Sequence, residues 1–297
     1  MTIKEKTIEV RKKLLKNGIK NYTLESEILI SLALKKDRLF LIVNDQKEVK
    51  EKENNKIDQI TKQRLKLYPL AYISGKRNFF DLEFEVNKNT LIPRPESELI
   101  IEEIVKKEKQ NKNNKIFIDV GTGSGCLIIS LAKILSKNKK NYFYGLDVCP
   151  KALKVAKKNA KKYNLNKVIN FYKSNLLKEI IKLNNKNNFL NNKELVIIAN
   201  LPYLTKEEIS ESPTIKFEPK KALYGGPDGL DFYRKMLKQI KELKENNKIK
   251  TEIYMEISPW QKNILVKDIK NILKNIPTEI KTIKDLNRKN RLIVLKV

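Results

Sequence analysis

The N-terminal part of the chain carries hydrophobic residues at helical spacing. Within residues 1–68, apolar side chains recur every three or four positions, at Ile8, Val10, Leu14, Leu15 and Ile19 and then at Leu24, Ile28, Leu29 and Leu32. A further helix is predicted over about 52–67, because Pro69 cannot continue it. We therefore predict a small helical domain over residues 1–72.

The pattern changes after Tyr72. Residues 79–87 (FFDLEFEVN) alternate apolar and polar side chains and contain aromatics, which predicts a short strand or a hairpin. Residues 91–100 (LIPRPESELI) then place prolines at the start of a helix and acidic residues in its first turn. We assign residues 73–90 to a β-hairpin connector and residues 91–297 to a second domain.

From residue 115 onward, apolar strands alternate with helical segments. Strands are predicted at 116–120, 142–146, 167–172, 194–199 and 251–257, and helices at about 125–136, 150–163, 176–183 and 229–246. This alternation predicts a parallel sheet covered by helices. Residues 277–283 and 291–297 add two strands that form an antiparallel terminal hairpin. The predicted fold class is α/β, with a seven-stranded sheet.

The chain is strongly basic. Its 63 lysines and arginines exceed its 35 acidic residues, for a net charge of +28, which suggests nucleic acid as a partner. Only eight of the basic residues are arginines, and the lysines are mixed with asparagine and isoleucine, which share A/T-rich codons. Either genomic base composition or a selected electrostatic role explains this charge. In both cases we expect nucleic-acid binding that is at most weak and salt-dependent.

The residue types that the sequence lacks exclude several classes of protein. Histidine is absent, which excludes Ser-His-Asp and Cys-His nucleophile systems and His-ligated metal sites. Cys126 and Cys149 cannot form a four-cysteine zinc site, so no metal is expected. No apolar run approaches the ~20 residues of a membrane span, and the N-terminus lacks the apolar core of a signal peptide. We expect no membrane association and a cytoplasmic location.

Most of the glycines are clustered. Six of nine lie at Gly121, Gly123 and Gly125 and at Gly225, Gly226 and Gly229. The first cluster follows a predicted strand and opens a helix, which is typical of a nucleotide-type cofactor site. Its GxGxG spacing matches neither the dinucleotide fingerprint nor a P-loop. Asp119 suits the ammonium and sulfonium groups of S-adenosylmethionine better than a pyrophosphate, and Asp147 ends the next strand, where it can accept hydrogen bonds from ribose hydroxyls.

A polar motif, Asn200-Leu201-Pro202-Tyr203, follows the predicted strand 194–199, at the ligand-binding edge of such a sheet. Methylation of a planar nitrogen, whether amide or exocyclic amine, requires its N–H groups to be held while the lone pair meets the methyl donor. The Asn200 side-chain oxygen and the Leu201 carbonyl can accept those hydrogens, and the Tyr203 ring can stack on the plane. Because Leu201 precedes a proline, its backbone is restricted to extended conformations.

These motifs resemble a known family. Asn200-Leu201-Pro202-Tyr203 is similar to the Asn-Pro-Pro-Tyr signature of amino- and amide-nitrogen methyltransferases. Further stretches resemble the bacterial release-factor glutamine N5-methyltransferases: 72–75 followed by 84–86, 91–96, 218–230, Glu256-Ile257 with Gln261, and Asp285-Leu286 with Arg288 and Arg291. The resemblance covers most of the chain.

The resemblance implies a Rossmann-like S-adenosylmethionine-dependent methyltransferase domain and a small N-terminal helical domain that recognises the substrate. The implied reaction is methylation of the glutamine N5 in the Gly-Gly-Gln loop of peptide-chain release factors. The expected cofactor-binding residues are Asp119, Gly121, Thr122, Gly123, Ser124, Gly125, Asp147, Asn175, Leu176 and Asn200. The expected substrate-binding residues are Asn200, Leu201, Pro202 and Tyr203, of which Asn200 and Tyr203 form the catalytic pair.

Two motifs depart from the family pattern. Leu201 replaces the first proline of the signature, which loosens the motif but keeps the backbone carbonyl. After Ser174, Asn175 replaces the usual aspartate, and Leu176 stands where the family has an aromatic or apolar residue. Asn175 can still reach the adenine amino group, whereas Leu176 offers less stacking surface.

Three other functions remain open on the sequence. A methyltransferase acting on a glutamine of another translation protein, such as a ribosomal protein, would share the same core and differ in its N-terminal domain. A methyltransferase of DNA or RNA amino groups fits the motif and the charge, but such enzymes usually carry a target-recognition domain and extrude the base. A non-catalytic basic binding module explains the charge and leaves both glycine clusters unexplained.

Overall fold

The chain divides into two compact units. The computed structural model describes residues 1–108, 114–136, 141–191, 193–246 and 249–297. The first unit is Met1–Lys76 and the second is Arg77–Val297. Within the described ranges, no helix has the length and apolar character needed to cross a membrane.

The first unit, which is described throughout, is helical. It consists of α1 (Ile3–Lys16), α2 (Tyr22–Leu34), α3 (Arg38–Val43), α4 (Glu51–Leu65) and α5 (Leu70–Ser74). Thr2 begins α1 with a capping box, in which Glu5 N donates to the Thr2 hydroxyl at 3.2 Å and Thr2 N donates to the Glu5 carboxylate at 2.8 Å. Val10, Leu29 and Ile57 are fully buried in a core that belongs to this unit. The helical pattern of the sequence is confirmed here.

The second unit alternates strands and helices. It opens with the hairpin β1 (Lys76–Phe79) and β2 (Leu82–Glu85), followed by α6 (Glu98–Glu108). Next come β3 (Lys115–Val120), α7 (Cys126–Leu135), β4 (Tyr142–Asp147), α8 (Pro150–Lys162), β5 (Ile169–Lys173), α9 (Lys178–Asn187) and β6 (Glu194–Ala199). The last elements are α10 (Lys206–Glu211), α11 (Asp231–Asn246), β7 (Lys250–Glu256), α12 (Lys262–Ile272), β8 (Glu279–Lys284) and β9 (Asn290–Lys296).

The main sheet of the described chain has seven strands in the order β5-β4-β3-β6-β7-β9-β8. Strands β3 to β7 are parallel, β9 runs antiparallel to β7, and β8 runs antiparallel to β9. Side chains of β3 alternate between two cores, with Ile116 and Ile118 on one face and Phe117 on the other. The predicted fold class, including the antiparallel terminal hairpin, is confirmed.

Several element boundaries differ from those predicted, most of them by one or two residues, and two of these differences have a clear local reason. β5 begins at Ile169 rather than at residue 167, because the Val168 and Ile169 amides still bond to the Leu165 carbonyl. α9 begins at Lys178 rather than at residue 176, because Leu176 has a positive φ of 55°, which an α-helix does not accommodate.

The direction of strand addition reverses between β3 and β6. From β3 the sheet grows through β4 to β5 on one side and through β6 to β7 on the other. In register, Val120 at the end of β3 pairs with Ala199 at the end of β6. The segments that follow these residues therefore leave the sheet side by side, at the crevice where open α/β sheets bind ligands.

The hairpin packs with the second unit. Phe79 and Phe84 are buried in the core that contains Phe117 of β3. The Asn159 side chain of α8 accepts a hydrogen bond from Glu85 N at 2.8 Å and donates to the Glu85 carbonyl at 3.0 Å. The division between the units thus falls after Lys76, whereas residue 72, the predicted end of the helical domain, lies inside α5.

Candidate active site

The first glycine cluster forms the turn between β3 and α7. Gly121, Gly123 and Gly125 all have positive φ, at 79°, 55° and 83°. A Cβ on Gly125 would lie 3.2 Å from the Cβ of Ala156 in α8, so glycine is also needed there for close packing. The Gly121 and Thr122 amides both donate to the Leu146 carbonyl at 2.8 Å, which ties the turn to the end of β4.

Asp119 lies beneath this turn. It is 1% exposed, and its carboxylate accepts a hydrogen bond from the Thr122 hydroxyl at 2.6 Å. Burial raises the pKa of Asp119 to about 7, and the nearby charge of Asp147 contributes to the rise, against the lowering effect of the Thr122 bond. Thr122 and Ser124 are also buried, and the Ser124 carbonyl accepts from the Asn159 side chain at 2.9 Å. These residues hold the turn in place.

Asp147 ends β4 beside the same turn. One carboxylate oxygen accepts from Gly123 N at 2.9 Å, and the other accepts from Cys149 N at 2.8 Å. Burial raises the pKa of Asp147, while the two backbone N–H groups oppose that rise. Because each carboxylate oxygen has a second lone pair, both can still accept a hydroxyl hydrogen.

A cavity of about 770 Å³ opens at the carboxyl ends of β3 to β6. Of the sequence-predicted residues, it is lined by Gly121, Asp147, Asn175, Leu176, Leu201 and Pro202. The other expected cofactor-binding residues are not among those that line it: Asp119, Thr122, Gly123, Ser124, Gly125 and Asn200. Three lysines, Lys206, Lys220 and Lys221, also belong to its wall. The volume and the mainly apolar lining suit a nucleoside-sized ligand.

A second cavity, of about 270 Å³, lies next to the first and shares Leu201 with it. We call it the acceptor cavity. Its lining includes Asn200, Tyr203, Arg94 and Glu256. A Cβ on Gly121 would lie 3.3 Å from the Leu201 side chain, so that side chain packs against the glycine turn. The two cavities therefore meet where β3 and β6 end.

Asn200 and Tyr203 are both bonded to Glu256, at the end of β7. Asn200 Nδ2 donates to Glu256 Oε2 at 3.1 Å and to Ser97 Oγ at 2.8 Å. The Tyr203 hydroxyl donates to Glu256 Oε1 at 3.0 Å. Burial raises the pKa of Glu256, against the lowering effect of the Ser97 and Tyr203 hydrogen bonds. Burial also raises the pKa of Tyr203.

In the sequence, Glu256 is marked only by the family resemblance, and no role is predicted for Ser97. The available signal was a carboxylate at the end of β7, six of whose seven residues are buried. A charged residue in such a strand requires polar partners, because an unpaired buried charge is strongly unfavourable.

The second glycine cluster supports the backbone of the Asn200–Tyr203 motif. A Cβ on Gly225 would overlap the Pro202 carbonyl, and one on Gly229 would overlap the Tyr203 carbonyl. Gln261 Nε2 donates to that Tyr203 carbonyl at 2.8 Å and to the Asp228 carbonyl at 3.0 Å. Only glycine allows the two loops to approach this closely.

Arg94 and Glu218 connect two further loops near the acceptor cavity. Their side chains form an ion pair, and Glu218 Oε2 also accepts from Ile92 N at 3.0 Å. Glu218 is buried, whereas Arg94 is partly exposed and lines the cavity. Both residues lie in stretches that the sequence marked only by family resemblance.

The seven-stranded sheet, with a glycine turn after β3 and Asn200 after β6, agrees with the S-adenosylmethionine-dependent methyltransferase class, which the comparisons with known proteins show. The general model described as "Methyltransferase domain" matches residues 111–200. The catalytic domain of human Mettl16 has the same fold, with a TM-score of 0.53 at 17% identity, over 73% of this chain and 75% of that one.

Relatives narrow the class to one family. The model described as "PrmC N-terminal domain" matches residues 7–75. The release factor glutamine methyltransferase of Borreliella burgdorferi is 37% identical over 92% of this chain and 88% of its own length. That of Clostridium acetobutylicum is 32% identical over 99% of this chain and 98% of its own length. The chain belongs to the release factor glutamine methyltransferase family.

We expect the substitution Gly229→Ala to destabilise the protein more than Gly18→Ala. Both glycines have nearly equal positive φ, at 71° and 72°, so both alanines carry about 1–2 kcal/mol of backbone strain. At Gly18 no heavy atom lies within 4 Å of the added Cβ, whereas at Gly229 it meets the Tyr203 carbonyl. In thermal unfolding, the free energy of unfolding of Gly229→Ala should be lower than that of Gly18→Ala by about 1–3 kcal/mol. Equal losses of unfolding free energy in the two variants would contradict the close approach of Gly229 to the Tyr203 carbonyl.

We expect Asp119 to make stability fall as pH rises. Its pKa of about 7 in the folded protein exceeds the ordinary aspartate value of 3.8, so between those pH values the folded state holds this proton and the unfolded state does not. Between pH 6 and pH 8 the contribution of Asp119 to the free energy of unfolding should fall by about 1.4 kcal/mol. The matched variant Asp119→Asn keeps an acceptor for Thr122 and lacks the titration. Urea unfolding at both pH values measures the difference, and identical pH dependence in the two proteins would refute the expectation.

Proposed function

We propose that this chain transfers a methyl group from S-adenosylmethionine to the N5 nitrogen of the glutamine in the Gly-Gly-Gln loop of peptide-chain release factors. Family membership over nearly the whole chain supports the reaction and the substrate. The observation that carries the proposal is the position of Asn200. It lines the acceptor cavity beside the larger cavity, and both hydrogens of its amide are engaged by Ser97 and Glu256.

The larger cavity fits the cofactor, and we assign its residues accordingly. Asp147 offers acceptors for the ribose hydroxyls, Asn175 offers polar atoms to the adenine, and Leu176 offers an apolar surface. Gly121 lets the backbone come close to the ligand. We assign the buried residues Asp119, Thr122 and Ser124, together with Gly123 and Gly125, to holding the turn in its binding conformation.

The acceptor cavity fits a primary amide. The Asn200 side-chain oxygen and the Leu201 carbonyl accept the two N–H groups of the glutamine, and Tyr203 packs on the amide plane. S-adenosylmethionine supplies a methyl group on a sulfonium and leaves as a neutral thioether. The residues of this chain therefore need to orient the nitrogen rather than supply a strong base, in keeping with the absence of histidine.

We assign recognition of the release factor to the helical first unit, residues 1–72 in the sequence-based division. Residues 91–297 then carry the cofactor and acceptor sites, and residues 73–90 form the β-hairpin that connects the two domains. The reaction would take place in the cytoplasm, where release factors act. The charge of +28 gives at most weak, salt-dependent attraction to nucleic acid in this proposal.

Labelled S-adenosylmethionine tests the function directly. The enzyme is incubated with separate pools of purified release factor, ribosomes and DNA at physiological salt. We expect the label on the glutamine of the release-factor Gly-Gly-Gln loop. Asn200→Ala should lower kcat by roughly 100-fold, as does removal of one preorganised polar group from an oxyanion site, with cofactor binding as the control for folding. Label in a ribosomal protein or in DNA would refute the proposed substrate.

The cofactor assignment predicts a loss of affinity on Asp147→Ala. Charge-assisted hydrogen bonds contribute ~1.5–3 kcal/mol, so the variant should bind S-adenosylmethionine about 2 kcal/mol more weakly, or roughly 30-fold. Calorimetry measures this without any release factor. Asp45→Ala, a partly exposed carboxylate in the first unit, controls for the change in net charge. Equal affinity of the parent and Asp147→Ala would remove Asp147 from the site.

A further inference from the structure

Glu256 contacts both residues of the proposed catalytic pair. It is 1% exposed. Among the described side chains that line the acceptor cavity, it is the only acidic one. Oε2 accepts from Asn200 Nδ2 at 3.1 Å and from Ser97 Oγ at 2.6 Å, while Oε1 accepts from the Tyr203 hydroxyl at 3.0 Å. The carboxylate is thus surrounded by donors that belong to the site.

We propose that Glu256 is a positioning residue that determines the orientation of the Asn200 amide, so that the Asn200 oxygen and not its nitrogen is presented to the substrate. The inference rests on the proposed function, in which that oxygen accepts a hydrogen from the glutamine N5.

The orientation of the Asn200 amide depends on which neighbouring atoms can donate a hydrogen bond. A carboxylate only accepts hydrogen bonds, whereas an asparagine amide has a donating end and an accepting end. If the Asn200 amide were rotated by half a turn, its oxygen would lie near 3.1 Å from Glu256 Oε2, and two hydrogen-bond acceptors would face each other. Such an arrangement loses a hydrogen bond to a charged group and replaces it with a repulsive contact between two oxygen atoms.

Ser97 cannot determine the orientation by itself. A hydroxyl donates one hydrogen and can also accept, so it could pair with either end of an asparagine amide. Here its hydrogen goes to Glu256 at 2.6 Å, which leaves only its lone pairs for Asn200 Nδ2 at 2.8 Å. Glu256 therefore also makes Ser97 an acceptor. Both hydrogens of the Asn200 amide are then engaged on the side of Glu256.

The orientation matters because the substrate nitrogen carries hydrogens. A rotated Asn200 would present N–H groups to the N–H groups of the glutamine, and the nitrogen lone pair would no longer be held toward the methyl donor. The effect would fall on the reacting geometry. The larger cavity, whose lining does not include Glu256, would be unaffected.

The substitution Glu256→Gln tests this, because glutamine has the same shape and can donate to a rotated Asn200. We expect kcat for release-factor methylation to fall roughly 10- to 100-fold, a range typical of a misplaced reacting group. KM for the release factor and Kd for S-adenosylmethionine should stay within about twofold. The matched control is Glu252→Gln, since Glu252 lies four residues earlier on the same strand and pairs with Lys107. Its kcat should remain close to that of the parent.

A double-mutant cycle separates positioning from a general structural role. In the Asn200→Ala background there is no amide to orient, so Glu256→Gln should cause no further loss of kcat. If Glu256→Gln does not fold, Ser97→Ala is used in the same cycle. Its smaller loss of kcat should likewise disappear without Asn200.

Parental kcat for Glu256→Gln, or an undiminished loss in the Asn200→Ala background, would overturn the inference. A parent enzyme that does not methylate release factor would instead overturn the proposed function, so the two failures can be told apart.

Discussion

The parallel pairing of β3 with β6 is the constraint on which the candidate site depends. Because Val120 and Ala199 are in register, the glycine turn after β3 and the Asn200 motif after β6 begin as neighbours. β4 lies on the other side of β3 and brings Asp147 to the same edge. The Leu201 side chain packs on Gly121 and lines both cavities. The larger cavity and the acceptor cavity are adjacent because backbone hydrogen bonds in the sheet place the ends of β3 and β6 side by side.

The acceptor loop is held by polar contacts to segments far along the chain. The Tyr203 carbonyl accepts from Gln261, and the Tyr233 hydroxyl lies within hydrogen-bond distance of the Ala199 and Glu256 carbonyls at the two strand ends. These bonds surround the position where Leu201 replaces the proline usual in the family. A proline would restrict the backbone of the loop through its ring. In this chain, packing and buried hydrogen bonds restrict it from outside.

Three buried or half-buried carboxylates near the cavities stand in contrast to the basic character of the chain. Asp119, Asp147 and Glu256 all lie close to the carboxyl ends of strands, and burial raises the pKa of each. Each carboxylate accepts hydrogen bonds from hydroxyl, amide or backbone donors, which offset the cost of its burial. Perturbed acids gathered in one crevice are typical of functional sites, where charge is used for orientation and not for stability.

The sequence by itself determined the α/β alternation, the terminal hairpin, the first glycine turn and the place of Asn200, because these features depend on local periodicity and on the backbone freedom of glycine. Only the tertiary structure decided that Asp119 is buried under Thr122, that Gly225 and Gly229 serve the Pro202–Tyr203 backbone, and that the β1–β2 hairpin belongs with the second unit. It alone brought Glu256 to Asn200. Such contacts join residues distant along the chain, and their geometry is set by sheet register and packing, which local patterns do not encode.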